Sequence, residues 1–415
     1  MDDRTLCLSW GKSAVDVLKN QGVECKAREI VRASRVMSLR ITLMDPSQIR
    51  KIMGTGMDEV LALGLGADAV RISRVTGDII IEVGLPSQYH KSLSLSAIAR
   101  EGNGVSVPIG VDTSSKVILF SLDDPTTPHA LIAGSTGSGK SVLLQSIVLG
   151  LIRQNSNQEI GIIAIDGKQR GLMPFSSSRH LLKPLVVDMN LAETTLKWVS
   201  DELDRRMSNV STPGSRIVVV IDEIAELLDR TGGTSGVVAE LLRRLTAMGR
   251  ELNIHVIAAT QHPTVQVLGG SMAKANMPLR LVGRVMDAGA SALATGQRGM
   301  SAHRLTGKGD FLAVCGDNNA RFQVAMASQN DFAMLPKPTA VKVNEGISGK
   351  DAYDKGGFTA EMVGFTLSQM AQGRGGINNL SKTLGIGNER ATALKAYALN
   401  VRKYMIDSNT DIALV

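Results

Sequence analysis

Aromatic residues and cysteines are scarce in this sequence, and each shortage excludes a class of site. Only 3% of the 415 residues are aromatic, whereas proteins that hold single-stranded nucleic acid usually stack its bases on aromatic side chains. The three cysteines, Cys7, Cys25 and Cys315, lie too far apart for a metal-binding motif or a disulfide framework. Any nucleic acid is therefore expected to be held through its phosphates, and the cysteine usage fits a reducing interior.

Long apolar runs and a leader peptide are also lacking. No uninterrupted apolar segment reaches the roughly 18 residues that a membrane-spanning helix needs. The first residues, Met1-Asp2-Asp3-Arg4, do not resemble a signal peptide. These features predict a cytoplasmic protein without membrane insertion.

The remaining composition is that of a globular chain with a surplus of positive charge. Hydrophobic residues make up 43% and charged residues 20%, which is ordinary, and the length suffices for two or three domains. The net charge is +7. Such a surplus is compatible with a nucleic-acid partner without establishing one, because many enzymes are mildly basic.

One glycine-rich stretch, 134–141, reads Gly-Ser-Thr-Gly-Ser-Gly-Lys-Ser and lies between an apolar run and an apolar helical pattern. Its G-x-x-x-x-G-K-[ST] spacing is that of the phosphate-binding P-loop. The glycines let successive backbone N–H groups point inward at a helix N-terminus. Lys140 is expected to reach the β- and γ-phosphates of ATP, and the Ser141 hydroxyl to bind Mg²⁺. The predicted nucleotide-binding residues are Gly134, Ser135, Thr136, Gly137, Ser138, Gly139, Lys140, Ser141 and Val142.

Strand and helix patterns alternate after the P-loop. Strands are predicted at 160–165, 216–221, 254–259, 279–285 and 310–314, and helices at 192–207 and 237–249. This alternation predicts an α/β fold with a mostly parallel sheet and helices on both faces. Ligands of such sheets bind at the carboxyl ends of the strands, where Gly134, Asp166, Asp222 and Gln261 fall.

Asp222 and Glu223 end the strongly apolar strand at 216–221, which is the Walker B arrangement. Asp222 is expected to orient Mg²⁺ through its water shell, and Glu223 to polarise the attacking water. The alternative is a strand that merely ends in acids. Gln261, after the neighbouring strand, either senses the γ-phosphate or caps that strand.

Arg250 lies between a predicted helix and the strand that begins at residue 254. One interpretation is an arginine finger that acts in trans on the γ-phosphate of a neighbouring subunit. The alternative is a surface ion-pair partner. Arg280 is a second finger candidate.

The flanking regions predict further modules. Residues 1–104 predict a small α+β domain, with helical patterns at 13–20 and 48–63, a strand at 35–42 and a hairpin at 70–83. Residues 101–128 are rich in turn signals, and 336–357 reads as a linker. Beyond it, a glycine-containing turn at 385–387 between two helical patterns predicts a helix-turn-helix. Residues 356–405 carry six basic and two acidic side chains, which favours a phosphate-contacting surface, although a helical hairpin with a solvated basic face is the alternative.

Several sequence blocks, in order along the chain, resemble those of the FtsK/SpoIIIE family of double-stranded DNA translocases. The resemblance implies a small alpha domain at 1–104, a RecA-like P-loop motor domain at 105–335, a linker at 336–357 and a gamma-like helix-turn-helix domain at 358–415. It also implies a homo-hexameric ring around duplex DNA, an arginine-finger position for Arg250, and a recombinase or another DNA-processing protein as a further partner. The blocks are 128–142, 179–188, 217–223, 248–256, 259–267, 274–280, 307–310 and 386–391.

The chain departs from the family pattern at several positions. Gly167 stands where the family usually has proline, His262 where it has arginine and Asn388 where it has tyrosine, and 286–292 lacks the basic residues of the pore-facing loop. A β-wing after the last helix is nearly absent. The resemblance then implies DNA contacts by His262, Lys274, Arg298, Lys382, Asn388, Arg390 and Lys395.

The combined expectation is an ATP-dependent, Mg²⁺-requiring motor that moves along duplex DNA in chromosome or mobile-element segregation. The membrane-anchoring region of the division proteins is not recognisable, which predicts a soluble relative of the kind carried by a phage or plasmid. One alternative is a DNA pump of the same family used in conjugation or packaging. An alternative of a different class is a DNA-binding regulatory NTPase that does not translocate.

Overall fold

The computed structural model describes residues 2–54, 56–75, 77–208, 214–263, 276–336, 376–384, 388, 391, 392 and 394. The chain divides into two compact units, Met1–Thr339 and Ala340–Val415. Among the described residues, no helix is both long enough and apolar enough to cross a membrane.

Helices and strands are numbered here in chain order. The described α-helices are α1 Asp3–Asn20, α2 Ile49–Ile52, α3 Met57–Leu65, α4 Leu95–Ile98, α5 Lys140–Gln154, α6 Met189–Ser208, α7 Ile224–Arg230, α8 Val237–Met248, α9 Ala288–Thr295, α10 Gln329–Ala333 and α11 Ile377–Leu384. The strands are β1 Cys25–Arg32, β2 Val36–Leu43, β3 Val70–Val75, β4 Asp78–Gly84, β5 Ser106–Asp112, β6 Val117–Ser121, β7 Ala130–Ala133, β8 Ile160–Ile165, β9 Arg216–Ile221, β10 Ile254–Thr260, β11 Leu279–Val282, β12 Asp310–Cys315 and β13 Asn318–Val324. Short 3₁₀ helices lie at Pro46–Gln48, Ser87–Tyr89, Ala99–Glu101, Met173–Phe175, Gly233–Ser235, Arg250–Leu252 and Ala302–Arg304.

Strands β1 to β4 form a four-stranded antiparallel sheet in the order β1-β2-β4-β3. Apolar side chains of α1 and α3 pack with those of the strands into one core. Helix α1 begins at Asp3 because the Asp2 carboxylate caps it, accepting a hydrogen bond from the Thr5 backbone N–H at 2.7 Å. The helix therefore begins well before the pattern at 13–20, since Leu6 and Trp10 extend its buried face.

The other predictions for this region have mixed outcomes. The strand at 35–42 and the following antiparallel hairpin are confirmed as β2, β3 and β4. The segment 48–63 is helical but interrupted between α2 and α3, where its glycines lie. The sequence pattern does not reveal β1, because this edge strand exposes Lys26, Arg28 and Glu29 and has no clear alternation.

The second sheet has nine strands, in the order β6-β5-β13-β12-β11-β7-β10-β9-β8. Strands β8, β9, β10, β7 and β11 pair in parallel, whereas β12, β13, β5 and β6 pair antiparallel. The sheet is therefore mixed, and the expected parallel arrangement holds for five strands. The antiparallel part arises from two hairpins of consecutive strands, which short connections favour. One of them, β5-β6, lies in the stretch predicted to be rich in turns, where a register shift between Pro108 and Gly110 obscures the strand pattern.

The parallel strands are buried on both faces. In β7, Leu131 and Ala133 belong to the core formed with α6, α7 and α8. Ala130 and Ile132 belong to the core on the other face, formed with α5. Burial on both faces explains the continuous apolar runs that made these strands recognisable in the sequence.

A buried ionic network joins the two sheets within the Met1–Thr339 unit. Glu82 of β4 lies 2.6 Å from Arg71 of β3 and 3.1 Å from Arg321 of β13. Arg321 also binds Asp310 of β12 with two contacts of 2.9 and 2.7 Å. Burial alone would raise the pKa of Asp310, but Arg321 and the hydrogen bonds from Thr306 outweigh it and lower that pKa. The network therefore holds its carboxylates ionised in the interior.

Asp310→Asn is expected to lower the free energy of unfolding by roughly 3–5 kcal/mol, because it leaves part of the buried Arg321 charge uncompensated. Urea denaturation of the full chain followed by far-UV circular dichroism measures the loss. Asp123→Asn is the control, since Asp123 pairs with Arg216 at the surface with 64% of its side chain exposed, and its loss should cost about 1 kcal/mol or less. Equal losses in the two variants would contradict the role assigned to the network.

His129, at the entrance to β7, gives a prediction about pH. Its Nδ1 accepts a hydrogen bond from the Val256 backbone N–H at 3.0 Å, and burial, reinforced by His255, lowers the pKa of His129 to about 3. An unfolded histidine titrates near pH 6.5, so the unfolded chain binds the extra proton between about pH 6.5 and 3. The contribution of neutral His129 to the free energy of unfolding is therefore fully present above about pH 6.5 and is lost as the pH falls from 6.5 towards 3. At pH 5 this group alone costs about 2 kcal/mol. His129→Asn keeps an acceptor without the titration, so its free energy of unfolding should change less between pH 7 and pH 5. An unchanged pH dependence would contradict this assignment.

Candidate nucleotide-binding site

The loop between β7 and α5 has the backbone that the P-loop pattern predicts. Gly137 and Gly139 have φ values of 81° and 102°, in the left-handed region that favours glycine. A Cβ atom at Gly139 would lie 2.6 Å from the backbone nitrogen of Gly309, so this position also lacks space for a side chain. Helix α5 begins immediately afterwards, at Lys140. The loop therefore presents a helix N-terminus, which is suited to bind phosphate.

The loop at 307–309 contacts the backbone of the P-loop. The backbone N–H groups of Lys308 and Gly309 donate hydrogen bonds to the carbonyl oxygens of Gly137 and Ser138, at 3.0 and 2.6 Å. Lys308 has a φ value of 51°, which is uncommon for a residue with a side chain. Asp310 of the buried ionic network follows directly in sequence. The glycines on both sides of Lys308 indicate an unusual turn, but no sequence pattern predicts that this turn contacts the P-loop.

Lys140 and Asp222 meet at the carboxyl edge of the parallel strands. The Lys140 ammonium group donates to the Asp222 carbonyl oxygen at 2.8 Å and lies 3.3 Å from Asp222 Oδ1. Both side chains are 4% exposed. Burial raises the pKa of Asp222; Lys140 opposes the shift, and the nearby Asp166 adds to it. The P-loop lysine and the first Walker B acid therefore form one buried electrostatic unit.

Glu223 is held between two other elements. The backbone N–H of Gln261 donates to both of its carboxylate oxygens, at 3.2 and 3.1 Å, and the Lys168 ammonium group lies 3.3 Å from Oε2. The side-chain oxygen of Gln261 accepts a hydrogen bond from the Thr136 hydroxyl at 3.1 Å. Gln261 thus connects the P-loop with Glu223. The sequence predicts Gln261 and the Asp222-Glu223 pair at this edge of the sheet, but it contains no signal for the contact of Lys168 with Glu223.

The loop that carries Lys168 is anchored by Asp166 at the end of β8. Asp166 is fully buried, and its Oδ2 accepts the backbone N–H groups of Arg170 and Leu172 at 2.9 and 2.8 Å. Its other oxygen, Oδ1, has no hydrogen-bond partner among the described residues. The loop also crosses Asp222, since a Cβ atom at Gly171 would lie 2.7 Å from Asp222 Oδ1.

The donor set fits a magnesium ion that accompanies a nucleotide. Mg²⁺ prefers oxygen ligands and usually takes one or two carboxylates together with water and phosphate oxygens. Ser141 in the first turn of α5, Asp222 and the unpartnered Asp166 Oδ1 supply such oxygens. Among the described residues, no cluster of three His, Cys, Asp or Glu side chains could hold a metal ion by itself.

The two arginine-finger candidates differ in exposure. Arg250 opens the 3₁₀ helix Arg250–Leu252, and its side chain is 51% exposed with a contact of 3.6 Å to Glu251. Arg280 lies in β11 with 6% exposure and donates to the carbonyl oxygens of Leu293 and Ala294. Arg250 is thus the exposed one of the two side chains, and its role as an arginine finger remains a prediction.

The predicted DNA-contacting residues are only partly described. His262 and Arg298 are exposed in the Met1–Thr339 unit, and Lys382 and Asn388 are exposed in the other unit. Lys274, Arg390 and Lys395 lie outside the described residues. Helix α11 lies where the first helix of the helix-turn-helix is predicted. The predicted turn at 385–387 and most of the predicted second helix lie outside the described residues. The DNA contacts and the domain boundaries therefore remain predictions.

Comparison with known proteins agrees with these features. The FtsK/SpoIIIE family model matches residues 96–216, which include the P-loop and β8. The DNA translocase FtsK of Borreliella burgdorferi is 30% identical over 72% of this chain and 40% of that protein. FtsK of Caldanaerobacter subterraneus subsp. tengcongensis is 27% identical over 93% of this chain and 58% of that protein. The chain thus spans about half the length of these curated relatives.

A solved structure shares the fold. The conjugation coupling protein TcpA of pCW3, in a monomer form with ATPγS, is 23% identical, with a TM-score of 0.50 over 77% of this chain and 95% of that one. At this identity the likeness concerns the fold alone. The translocase relatives match most of this chain, and the family match includes its P-loop. The chain belongs to the FtsK/SpoIIIE family.

Proposed function

We propose that this protein is an ATP-dependent double-stranded DNA translocase. The observation that carries the proposal is the convergence of Lys140, Asp222, Glu223 and Gln261 at one edge of the sheet, beside a P-loop of the required geometry. Family membership supplies duplex DNA as the expected substrate, because the curated relatives are DNA translocases. The same arrangement is expected in a regulatory NTPase, so DNA-dependent movement must be tested directly.

Each residue of the site has a separate task in hydrolysis. Lys140 and the first-turn N–H groups of α5 bind the phosphates and neutralise their charge. Ser141 and Asp222 would hold Mg²⁺, which when bound polarises the phosphate oxygens. Glu223 orients a water molecule and accepts its proton as that water attacks the γ-phosphorus, while the bond from this phosphorus to the bridging oxygen breaks and ADP leaves. Arg250 from a neighbouring subunit stabilises the negative charge of the transition state.

Gln261 is suited to couple hydrolysis to movement. Its side chain contacts Thr136 of the P-loop, its backbone contacts Glu223, and His262 follows it at the surface. Loss of the γ-phosphate would disturb the contact between Thr136 and Gln261, and the change would pass to the adjacent His262. His262, Lys274 and Arg298 would then contact the DNA backbone in a homo-hexameric ring, and the C-terminal helices would load the ring onto duplex DNA.

Displacement of a triplex-forming oligonucleotide from duplex DNA tests movement. The expected result is ATP-dependent displacement at a distance from the loading site, with rings of six subunits counted by mass photometry on the same DNA. Glu223→Gln should bind the DNA without displacing the oligonucleotide. ATP hydrolysis and DNA binding without displacement would instead favour the regulatory NTPase. Displacement of the oligonucleotide would support a role in moving DNA during segregation or transfer, and its absence would contradict both roles.

A further inference from the structure

Lys168 contacts the carboxylate of Glu223, the residue proposed above as the general base. A general base must have a carboxylate oxygen free to accept a proton from water. In this structure the Lys168 ammonium group lies 3.3 Å from Glu223 Oε2, while the Gln261 N–H contacts both oxygens. The Glu223 side chain is only 6% exposed, so water has little access to it beside these donors.

The surroundings hold Lys168 at this position. The Asp166 carboxylate folds the loop through its bonds to Arg170 and Leu172. The amide of Gln145, on the P-loop helix α5, donates to the Gly171 carbonyl at 2.9 Å. The loop is therefore attached both to the end of β8 and to the helix whose N-terminus receives phosphate. A change at the phosphate site has a direct structural route to Lys168.

The contact is also suited to open. The Lys168 side chain is 35% exposed, and lysine carries a compact charge on a flexible four-carbon stem. Lys140 and Asp222 lie nearby but pair with each other. If Lys168 turns into the solvent, the Gln261 N–H still donates to the Glu223 carboxylate, so the contact can break without leaving that carboxylate unpartnered.

We propose that Lys168 is a positioning residue that restrains the catalytic carboxylate of Glu223. The ion pair competes with water for Oε2, and hydrolysis proceeds when Lys168 moves away. Gln261, which also holds Glu223, is followed by the exposed His262, a predicted DNA contact. Binding of duplex DNA at His262 would shift this side of the Glu223 site and favour the opening, so that DNA-bound subunits hydrolyse most of the ATP. The inference rests on the proposed ATPase function and adds a residue that suppresses hydrolysis away from DNA.

Lys168→Met, which keeps the length of the side chain and removes its charge, is the test variant. Steady-state hydrolysis without DNA should rise several-fold in kcat, while the KM for ATP stays within about twofold. The stimulation by duplex DNA should shrink correspondingly. Lys168→Arg keeps a cation and should therefore keep the wild-type kcat without DNA and the wild-type stimulation by duplex DNA. Arg170→Met is the matched control, because Arg170 is an exposed cation of the same loop without an ion pair in the described part of the chain, and it should change neither rate.

A kcat that falls equally with and without DNA, or that does not change, would overturn the proposal. If the wild type hydrolyses ATP without any response to DNA, the translocase function fails, but the DNA-free rate of Lys168→Met still decides the role of Lys168. A double-mutant cycle of Lys168→Met and Glu223→Gln in thermal denaturation tests the contact without hydrolysis. The change in Tm of the double variant should differ from the sum of the changes in the two single variants, because both substitutions remove the same contact. Additive shifts would show that the pair does not form.

Discussion

Lys140→Ala is expected to remove ATP hydrolysis and to weaken ATP binding by at least ~10²-fold. The lysine side chain is 4% exposed and supplies the only positive charge in contact with Asp222 among the described residues. Without it, the phosphates meet the carboxylates of Asp222 and Asp166 in a buried environment, where repulsion is poorly screened. Titration with a fluorescent ATP analogue, together with release of inorganic phosphate, measures both effects.

The control for this variant is Lys116→Ala, which removes an exposed lysine from the turn between β5 and β6. That variant should bind and hydrolyse ATP as the wild type does. If Lys140→Ala retained ATP affinity within about threefold, the loop at 134–141 would not be the phosphate site. The nucleotide would then have to bind elsewhere in the chain.

Glu223→Gln is expected to lower kcat by roughly 10²–10⁴-fold and to leave ATP binding nearly unchanged. The amide has almost the same shape as the carboxylate and keeps an acceptor for the Gln261 N–H, but it cannot take a proton from water. Single-turnover hydrolysis separates this loss from any effect on product release. ATP affinity, measured with the same fluorescent analogue, should remain close to that of the wild type.

Glu226→Gln is the matched control, since Glu226 lies one turn along α7 and pairs with Arg230 at 2.9 Å. Its hydrolysis rate should stay within about twofold of the wild type. A Glu223→Gln enzyme that hydrolyses ATP at a near-normal rate would assign the general base to another residue. The buried Asp166 and Asp222 would then be the next candidates.

Local sequence patterns were sufficient for the central part of the site. The P-loop spacing, the apolar run before Asp222 and the position of Gln261 all lie within short segments, and parallel strands bring their carboxyl ends to one edge. Fully buried strands also have recognisable apolar runs. These features are sufficient to predict which residues meet at the site.

The parts that the sequence did not reveal depend on contacts between distant segments. Lys168 meets Glu223 because β8 pairs with β9, and Lys308 meets Gly137 because β12 lies two strands from β7. In both cases the sequence shows only a lysine next to a glycine, which does not predict the partner that the lysine contacts. The β1 strand and the β5-β6 hairpin were missed for a related reason, since edge exposure and a bulge remove the alternation on which strand prediction depends.

The buried network of Arg71, Glu82, Asp310 and Arg321 also depends on such pairing. It links the small sheet to the strand that follows the supporting loop at 307–309. The small sheet is therefore connected, through Arg321 and Asp310, to the loop whose backbone contacts the P-loop. Arg71 and Glu82 stand on strands whose alternation predicts solvent exposure, and only the docking of the two sheets buries them.

The most direct test of the central claim is the steady-state ATPase rate as a function of the length and strandedness of added DNA. A duplex motor should be strongly stimulated by long duplex DNA, less by short duplexes and little by single strands, and Lys140→Ala should be inactive throughout. A rate that does not respond to duplex DNA would contradict the translocase function and leave a nucleotide-dependent DNA-binding protein.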